Sequence, residues 1–280
     1  MAYELPESDG LIQAALMEDI GRGDITGDIL VPASQQARLV MMAREALTVC
    51  GLELAGLTFM HLDSSLQCGV AVEEGQRVSK GQPLLDVSGS ARSILAAERT
   101  ALNFLCRLSA VATHTARFVE AVAGTGCIIL DTRKTLPGYR LLDKYAVRVG
   151  GGRNHRMRLD DGVLIKDNHI ALCGGVAHAV AQARAATPAL TRIEVECDTL
   201  EQVREALDAG AEMILLDNMP PETLREAVKL ANGKASLEAS GGVTLENVRA
   251  IAQTGVQYIS VGAITHSAPN VDIGLDVAMG

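Results

Sequence analysis

From Cys127 onward the chain repeats one unit, a short apolar run that ends on a polar residue or glycine and is followed by a stretch with helical spacing. The runs are Ile128-Ile-Leu-Asp131, Val163-Leu-Ile-Lys166, Ile193-Glu-Val-Glu196, Met213-Ile-Leu-Leu-Asp217, Ser236-Leu-Glu-Ala-Ser240 and Tyr258-Ile-Ser-Val-Gly262. The last four recur about every 20 residues, the length of a compact strand-loop-helix unit. Thr199 to Ala209 closes on Gly210, Pro220-Pro221 open the next helix, and Thr244 is placed to cap the one after. Six parallel strands alternating with helices form either an open doubly wound sheet or a barrel. The barrel is favoured because Asp131, Lys166, Glu196, Asp217, Ser240 and Gly262 all stand at the C-terminal ends of their runs. Parallel strands bring those ends to one face, where barrel enzymes build their sites.

The first 115 residues follow another pattern. Residues 9–20 have helical spacing, 36–88 read as β-rich, and Ser90 to Val122 reads as one long helix carrying Glu98-Arg-Thr-Ala-Leu-Asn103. Val70 to Val87 is the clearest β segment, a turn-rich hairpin in the style of lipoyl or biotinyl carriers. Lys80 lacks a carrier-type neighbourhood, and a plain Ser79-Lys80-Gly81 turn is the stronger reading. The expected organisation is an N-terminal α+β domain over residues 1–115, joined through the long helix to an α/β barrel over 116–280.

The chain is acidic, with formal net charge -9, yet Asp131 to Arg158 holds eight basic residues against two acids. A basic segment inside an acidic protein argues against a nucleic-acid surface, which usually makes the whole domain basic. The absence of Trp and an aromatic content of 2% also argue against base stacking. The segment suits a focused pocket in which Arg forks meet carboxylate or phosphate oxygens. No apolar run reaches the eighteen or so residues of a membrane span. The polar N-terminus is unlike a signal peptide, and six scattered cysteines fit free thiols in a reducing cytoplasm.

Arg99, Arg133, Lys134, His155, Arg156 and Lys166 supply cations and an imidazole, and Glu196 and Asp217 supply carboxylates at neighbouring strand ends. Such a set can hold a strongly anionic substrate while its acids take a divalent cation or sugar hydroxyls. Ser240-Gly241-Gly242 and Gly262 place glycines after the last two strands, where backbone N–H groups can approach a phosphate, beside a helix expected to begin near Thr244. Each residue taken singly has a duller role as a salt-bridged surface residue, a charged loop, a structural histidine or a tight turn. Their convergence on strand ends and glycine loops favours a site. Two other readings use parts of the set. Lys166 at a strand end could form the Schiff base of a barrel aldolase, and a polyanion-sensing module would need only the basic segment, leaving Glu196 and Asp217 without a role.

At these residues the chain resembles the decarboxylating quinolinate phosphoribosyltransferases, also called nicotinate-nucleotide pyrophosphorylases. The matching motifs, in order, are Glu18-Asp-Ile-Gly-Arg-Gly-Asp-Ile-Thr26, Glu98-Arg-Thr-Ala-Leu-Asn103, Asp131-Thr-Arg-Lys-Thr-Leu-Pro-Gly138, Lys144-Tyr-Ala-Val147, Gly150-Gly-Gly-Arg-Asn-His-Arg156, Leu164-Ile-Lys-Asp-Asn-His169, Glu194-Val-Glu196, Leu216-Asp-Asn218, Glu238-Ala-Ser-Gly-Gly242 and Ser260-Val-Gly-Ala-Ile-Thr265. The resemblance implies a mixed N-terminal domain followed by an incomplete, about six-stranded parallel α/β barrel, working as a homodimer or an assembly of dimers with shared active sites. It implies transfer of the phosphoribosyl group of 5-phosphoribosyl-1-pyrophosphate to quinolinate, with Mg²⁺, giving nicotinate mononucleotide, pyrophosphate and CO₂ in NAD biosynthesis. Carried over, Arg133, His155 and Arg156, with Thr132 beside them and Arg99 from the partner, would hold quinolinate. Lys134 and Lys166 would face the pyrophosphate, Glu196 and Asp217 the ribose and Mg²⁺, and Ser240, Gly241, Gly242 and Gly262 the 5′-phosphate. A close alternative is a ModD-type relative acting on another aromatic acid.

Overall fold

The computed structural model describes residues 4–278. The chain divides into two compact units, residues 1–114 with 141–150 and 268–280, and residues 115–140 with 151–267.

The first unit opens with α1 (Asp9–Ile20) and α2 (Ile25–Leu30), followed by β1 (Gln36–Ala43), β2 (Leu47–Thr48), α3 (Leu52–Leu62), β3 (Gln67–Val70), β4 (Arg77–Val78) and β5 (Pro83–Ser90). Strand β5 pairs antiparallel with both β1 and β3. The Val70–Val87 segment is not one hairpin, because Arg77 and Val78 pair with Leu47 and Thr48 in a separate two-stranded sheet. Gly75 (φ 83°) and Gly81 (φ 84°) make the left-handed turns on either side of β4, and Lys80 lies in the second. The Glu74 carboxylate accepts the N–H groups of Gly51 and Leu52, the entry to α3, and a hydrogen bond from the Tyr145 hydroxyl. That is the capping work which orphan helix N–H groups require. Tyr145 lies on α5 (Arg140–Val149). On the same helix the fully buried Asp143 accepts a 2.8 Å ion pair from Arg107 of α4 (Ala91–Ala121).

The second unit holds the repeat. Its strands β6 (Ile128–Leu130), β7 (Val163–Ile165), β8 (Ile193–Cys197), β9 (Met213–Asp217), β10 (Ser236–Ser240) and β11 (Tyr258–Ser260) coincide with the six runs read from the sequence. They form one parallel sheet in the order β6-β11-β10-β9-β8-β7. The edge strands β6 and β7 do not pair with each other, so the barrel is incomplete, and β6 is extended only by a bridge from Leu130 to Arg153. Its helices are α6 (Asp167–Cys173), α7 (Val176–Ala186), α8 (Leu200–Asp208), α9 (Pro221–Ala231), α10 (Val248–Ala252) and α11 (Ala263–His266). Thr199 caps α8 in a reciprocal box with Gln202, and Pro221 opens α9 as expected. The helix expected near Thr244 starts later, at Val248, and is one short turn. Asn247 holds its N-cap position without a side-chain bond into the helix and instead turns its side chain back to accept the Thr244 N–H at 2.8 Å.

Two segments depart from a single division near residue 115. Helix α5 belongs to the first unit, and so does the final strand β12 (Ile273–Val277), which pairs antiparallel with β1 on the edge opposite β5. Its Asp276 meets Arg44 at 2.6 Å. Among the described residues no helix is long and apolar enough to cross a membrane. All six cysteines are free, and burial pushes the Cys197 thiol up to about 12.

Candidate active site

Residues two apart on a strand share a face, and the register of β7 to β10 stacks such residues in two layers. Glu196 stands beside Leu215, and Asp217 beside Ser240. One step deeper, Leu164 stands beside Glu194, and Leu215 beside Glu238. The strand ends therefore carry Glu196, Asp217 and Ser240, with Leu215 standing between the two layers. The lower one mixes Leu164 and Leu215 with two buried glutamates, 4% (Glu194) and 0% (Glu238) exposed. Above them opens a cavity of about 590 Å³.

The cavity brings together Thr132, Arg133, Lys134, His155, Arg156 and Lys166 with Glu196, Asp217, Ser240, Gly241 and Gly242. Gly262 is not among the lining residues, but a Cβ there would meet the Lys134 side chain at 3.0 Å, so the glycine leaves that lysine its course. Arg99 lies on α4 in the first unit and is not among the lining residues.

The basic loops are held by groups whose role the sequence reading did not assign. Asp131 is fully buried and does not line the cavity. Its carboxylate accepts from Asn154 Nδ2 at 2.5 Å and from the His155 N–H at 2.9 Å, tying the loop that carries His155 and Arg156 to the end of β6. Thr265 Oγ1 donates to the Lys134 carbonyl at 2.7 Å, and the Lys134 N–H donates to Thr132 Oγ1 at 3.0 Å. Arg156 donates to the Gly162 carbonyl at 2.9 Å. Burial and then the charge of Arg133 lower the Arg156 pKa. The repulsion between two guanidiniums is one that a bound dianion would relieve.

Lys166 Nζ is paired with Glu196 Oε2. A Schiff-base lysine needs an apolar or cationic surrounding, so this pairing counts against the aldolase reading. Asp217 Oδ2 accepts from Asn218 Nδ2 at 2.6 Å. Asn218 has φ 53°, and its side chain lies against Gly241, where an added Cβ would collide with it. With Gly241 (φ 89°) and Gly242 (φ 60°) both left-handed, the turn after β10 depends on its glycines rather than on a helix N-terminus.

Below this layer, His155, Glu194 and Glu238 bring one ligand atom each within 4.8 Å of one another. His155 Nε2 lies 2.9 Å from Glu194 Oε2 and 3.7 Å from Glu238 Oε2. Its Nδ1 accepts the Arg156 N–H at 2.7 Å, which makes the neutral Nε2–H tautomer the assignment that satisfies the network. Burial first, and then the Glu194 carboxylate, raise the Glu238 pKa well above the ordinary range, with His155 and the Ser260 hydroxyl opposing. Glu194, Glu238 and Asn218 were visible in the sequence only as members of motifs.

Models of the quinolinate phosphoribosyl transferase N-terminal and C-terminal domains match residues 24–109 and 111–276. The chain belongs to this family. It is 47% identical over 272 residues to the nicotinate-nucleotide pyrophosphorylase [carboxylating] of Mycobacterium leprae, covering 95% of each chain. It is 43% identical over 294 residues to a quinolinate phosphoribosyltransferase [decarboxylating] of Nicotiana glauca, covering 98% of this chain and 82% of that one. Among solved structures, NadC from Streptococcus pyogenes superposes with a TM-score of 0.94 at 38% identity, covering 99% of this chain and 100% of that one.

Proposed function

We infer that this protein transfers the phosphoribosyl group of 5-phosphoribosyl-1-pyrophosphate to the ring nitrogen of quinolinate, releasing pyrophosphate and CO₂ and leaving nicotinate mononucleotide. The single observation that carries the reading is the cavity itself. Arg133, Arg156 and Lys134 line it together with Lys166, Glu196 and Asp217 and the Ser240-Gly241-Gly242 turn. Membership in a family whose relatives bear these names supports it.

The residues divide the work by charge. Arg133 and Arg156, with Thr132 beside them, take the two quinolinate carboxylates, and His155 backs Arg156 through its hydrogen bond to that residue's N–H. Lys134 and Lys166 receive negative charge as pyrophosphate leaves, stabilisation that is worth most in a preorganised, partly dry site. Glu196 and Asp217 face the ribose, whose C1 gains positive character as the bond to pyrophosphate breaks. The Ser240-Gly241-Gly242 turn and Gly262 cradle the 5′-phosphate through backbone N–H groups. Once the ring nitrogen is quaternary, it withdraws electrons from the bond to the 2-carboxylate, and CO₂ leaves.

Glu196 and Asp217 are hard oxygen donors, and each commits one oxygen within the protein, to Lys166 and Asn218 respectively. The free oxygens suit Mg²⁺, which binds through one or two carboxylates together with substrate phosphates. When bound it would neutralise pyrophosphate. Arg99 completes the site of a partner subunit in a homodimer or an assembly of dimers, and the enzyme works in the cytoplasm.

The test offers the purified protein phosphoribosyl pyrophosphate and Mg²⁺ with quinolinate, nicotinate, phthalate and benzoate in turn, following pyrophosphate release. Quinolinate alone should support rapid turnover. A preference for another acid by tenfold or more would replace quinolinate with the ModD-type alternative.

A further inference from the structure

Decarboxylation makes a demand that the phosphate-facing cations do not meet. When the bond from ring carbon 2 to its carboxylate breaks, CO₂ departs and the electron pair stays on that carbon, which must then gain one proton. We propose that Glu238 is the acid that delivers it, an inference that rests on the quinolinate reading of this site.

The placement comes from the strand. Glu238 points to the same side of β10 as Ser240 and lies two residues deeper, about 7 Å along the strand. It lines the cavity floor with Leu164 and Leu215. It is fully buried, and beyond the influence of the Ser260 hydroxyl neither of its carboxyl oxygens has a hydrogen-bond partner in good geometry. Buried polar atoms are satisfied in the great majority of native sites, so an orphaned carboxyl beneath a reacting ring calls for a chemical reason.

The neighbours explain why this group holds a proton. Glu194 is the other buried carboxylate, and His155 Nε2 sits 2.9 Å from it but 3.7 Å from Glu238. The imidazole proton therefore belongs to Glu194, leaving Glu238 to keep its own. Two carboxylates this close cannot both ionise cheaply in a dry site, and burial acts in the same sense. Of the other titratable lining groups, Lys166 is tied to Glu196, Lys134 is assigned to the departing pyrophosphate, guanidiniums do not give up protons, and both His155 nitrogens are engaged.

The step balances. The carbon–carboxylate bond breaks, CO₂ leaves, the electron pair takes the Glu238 proton, and the new C–H bond completes the pyridinium product. Glu238 is left as a carboxylate. After the product leaves, water entering the open cavity returns a proton, drawn back by burial and by the charge of Glu194.

Glu238→Gln and Glu238→Asp, assayed as whole enzymes with Mg²⁺, phosphoribosyl pyrophosphate and quinolinate, test the assignment. Glu238→Gln should bind quinolinate within threefold of wild type by equilibrium dialysis but form nicotinate mononucleotide about 100-fold more slowly or worse, as loss of a general acid predicts. Made in equal parts H₂O and D₂O, its residual product should carry a protium-to-deuterium ratio at carbon 2 different from wild type, because another donor supplies the hydrogen. If the glutamine variant does not fold, Glu238→Asp decides, since its shortened acid should slow product formation and shift the same ratio. Either variant working within threefold of wild type overturns the proposal, and so does a slow variant with the wild-type ratio. Such a failure would leave wild-type turnover of quinolinate intact, whereas failure of the function itself would abolish it.

Discussion

Replacing Asp131 should damage both stability and catalysis, although the residue touches no substrate. The carboxylate is fully buried and accepts from Asn154 Nδ2 at 2.5 Å and the His155 N–H at 2.9 Å. Asp131→Ala removes the shared acceptor of two part-buried donors, at about 1.5 kcal/mol each, so the loss is about 3 kcal/mol. In a chain of this size that lowers the melting temperature by roughly 10 °C. The freed 153–156 loop carries Arg156, and misplacement of a positioning group by about 1 Å can cost 100-fold in rate. Asp131→Asn keeps one acceptor and should lose about half as much stability. The assay pairs scanning calorimetry with turnover measured well below the new melting temperature. An Asp131→Ala protein that melts within about 2 °C of wild type and retains a third of its turnover would refute the reasoning.

Three further outcomes are expected. Gly241→Ala forces a side chain into left-handed backbone and against Asn218, costing about 1–2 kcal/mol of strain; KM for phosphoribosyl pyrophosphate should rise at least tenfold, and an unchanged KM would remove the cradle role. Arg99→Ala and Lys166→Ala should each be inactive alone, yet refolding them as an equal mixture should restore about a quarter of wild-type activity, since half the dimers are hybrids with one intact site; no recovery would exclude site sharing. Glu238 binds its proton more tightly folded than unfolded, so its stabilising contribution is complete below an ordinary glutamate value of 4.5 and is lost as pH rises through the raised folded value. Glu238→Gln should flatten stability against pH over that window, and a slope identical to wild type would show that the residue does not hold an extra proton.

The six strands of the second unit were legible because a fully buried parallel strand writes itself as an apolar run, and its C-terminal polar residue marks the open face. The strand-end residues of the site followed from that alone. The late start of α10 did not, since Thr244 and Asn247 are both good caps only three residues apart and local preference cannot rank them. Strand β12 was hidden for another reason: its partner β1 lies more than 200 residues earlier, and edge pairing leaves little trace in a five-residue segment. Glu194 and Glu238 did leave a signal, each standing two residues before a site residue on its strand. Period-two alternation places such residues in the same interior, one layer down.

The central claim is most directly tested by incubating purified protein with quinolinate, phosphoribosyl pyrophosphate and Mg²⁺ while measuring nicotinate mononucleotide, pyrophosphate and CO₂ together. The account predicts that all three accumulate in equal amounts and that omission of Mg²⁺ suppresses them together. A folded preparation that releases pyrophosphate without matching CO₂, or that forms no nicotinate mononucleotide, would contradict it.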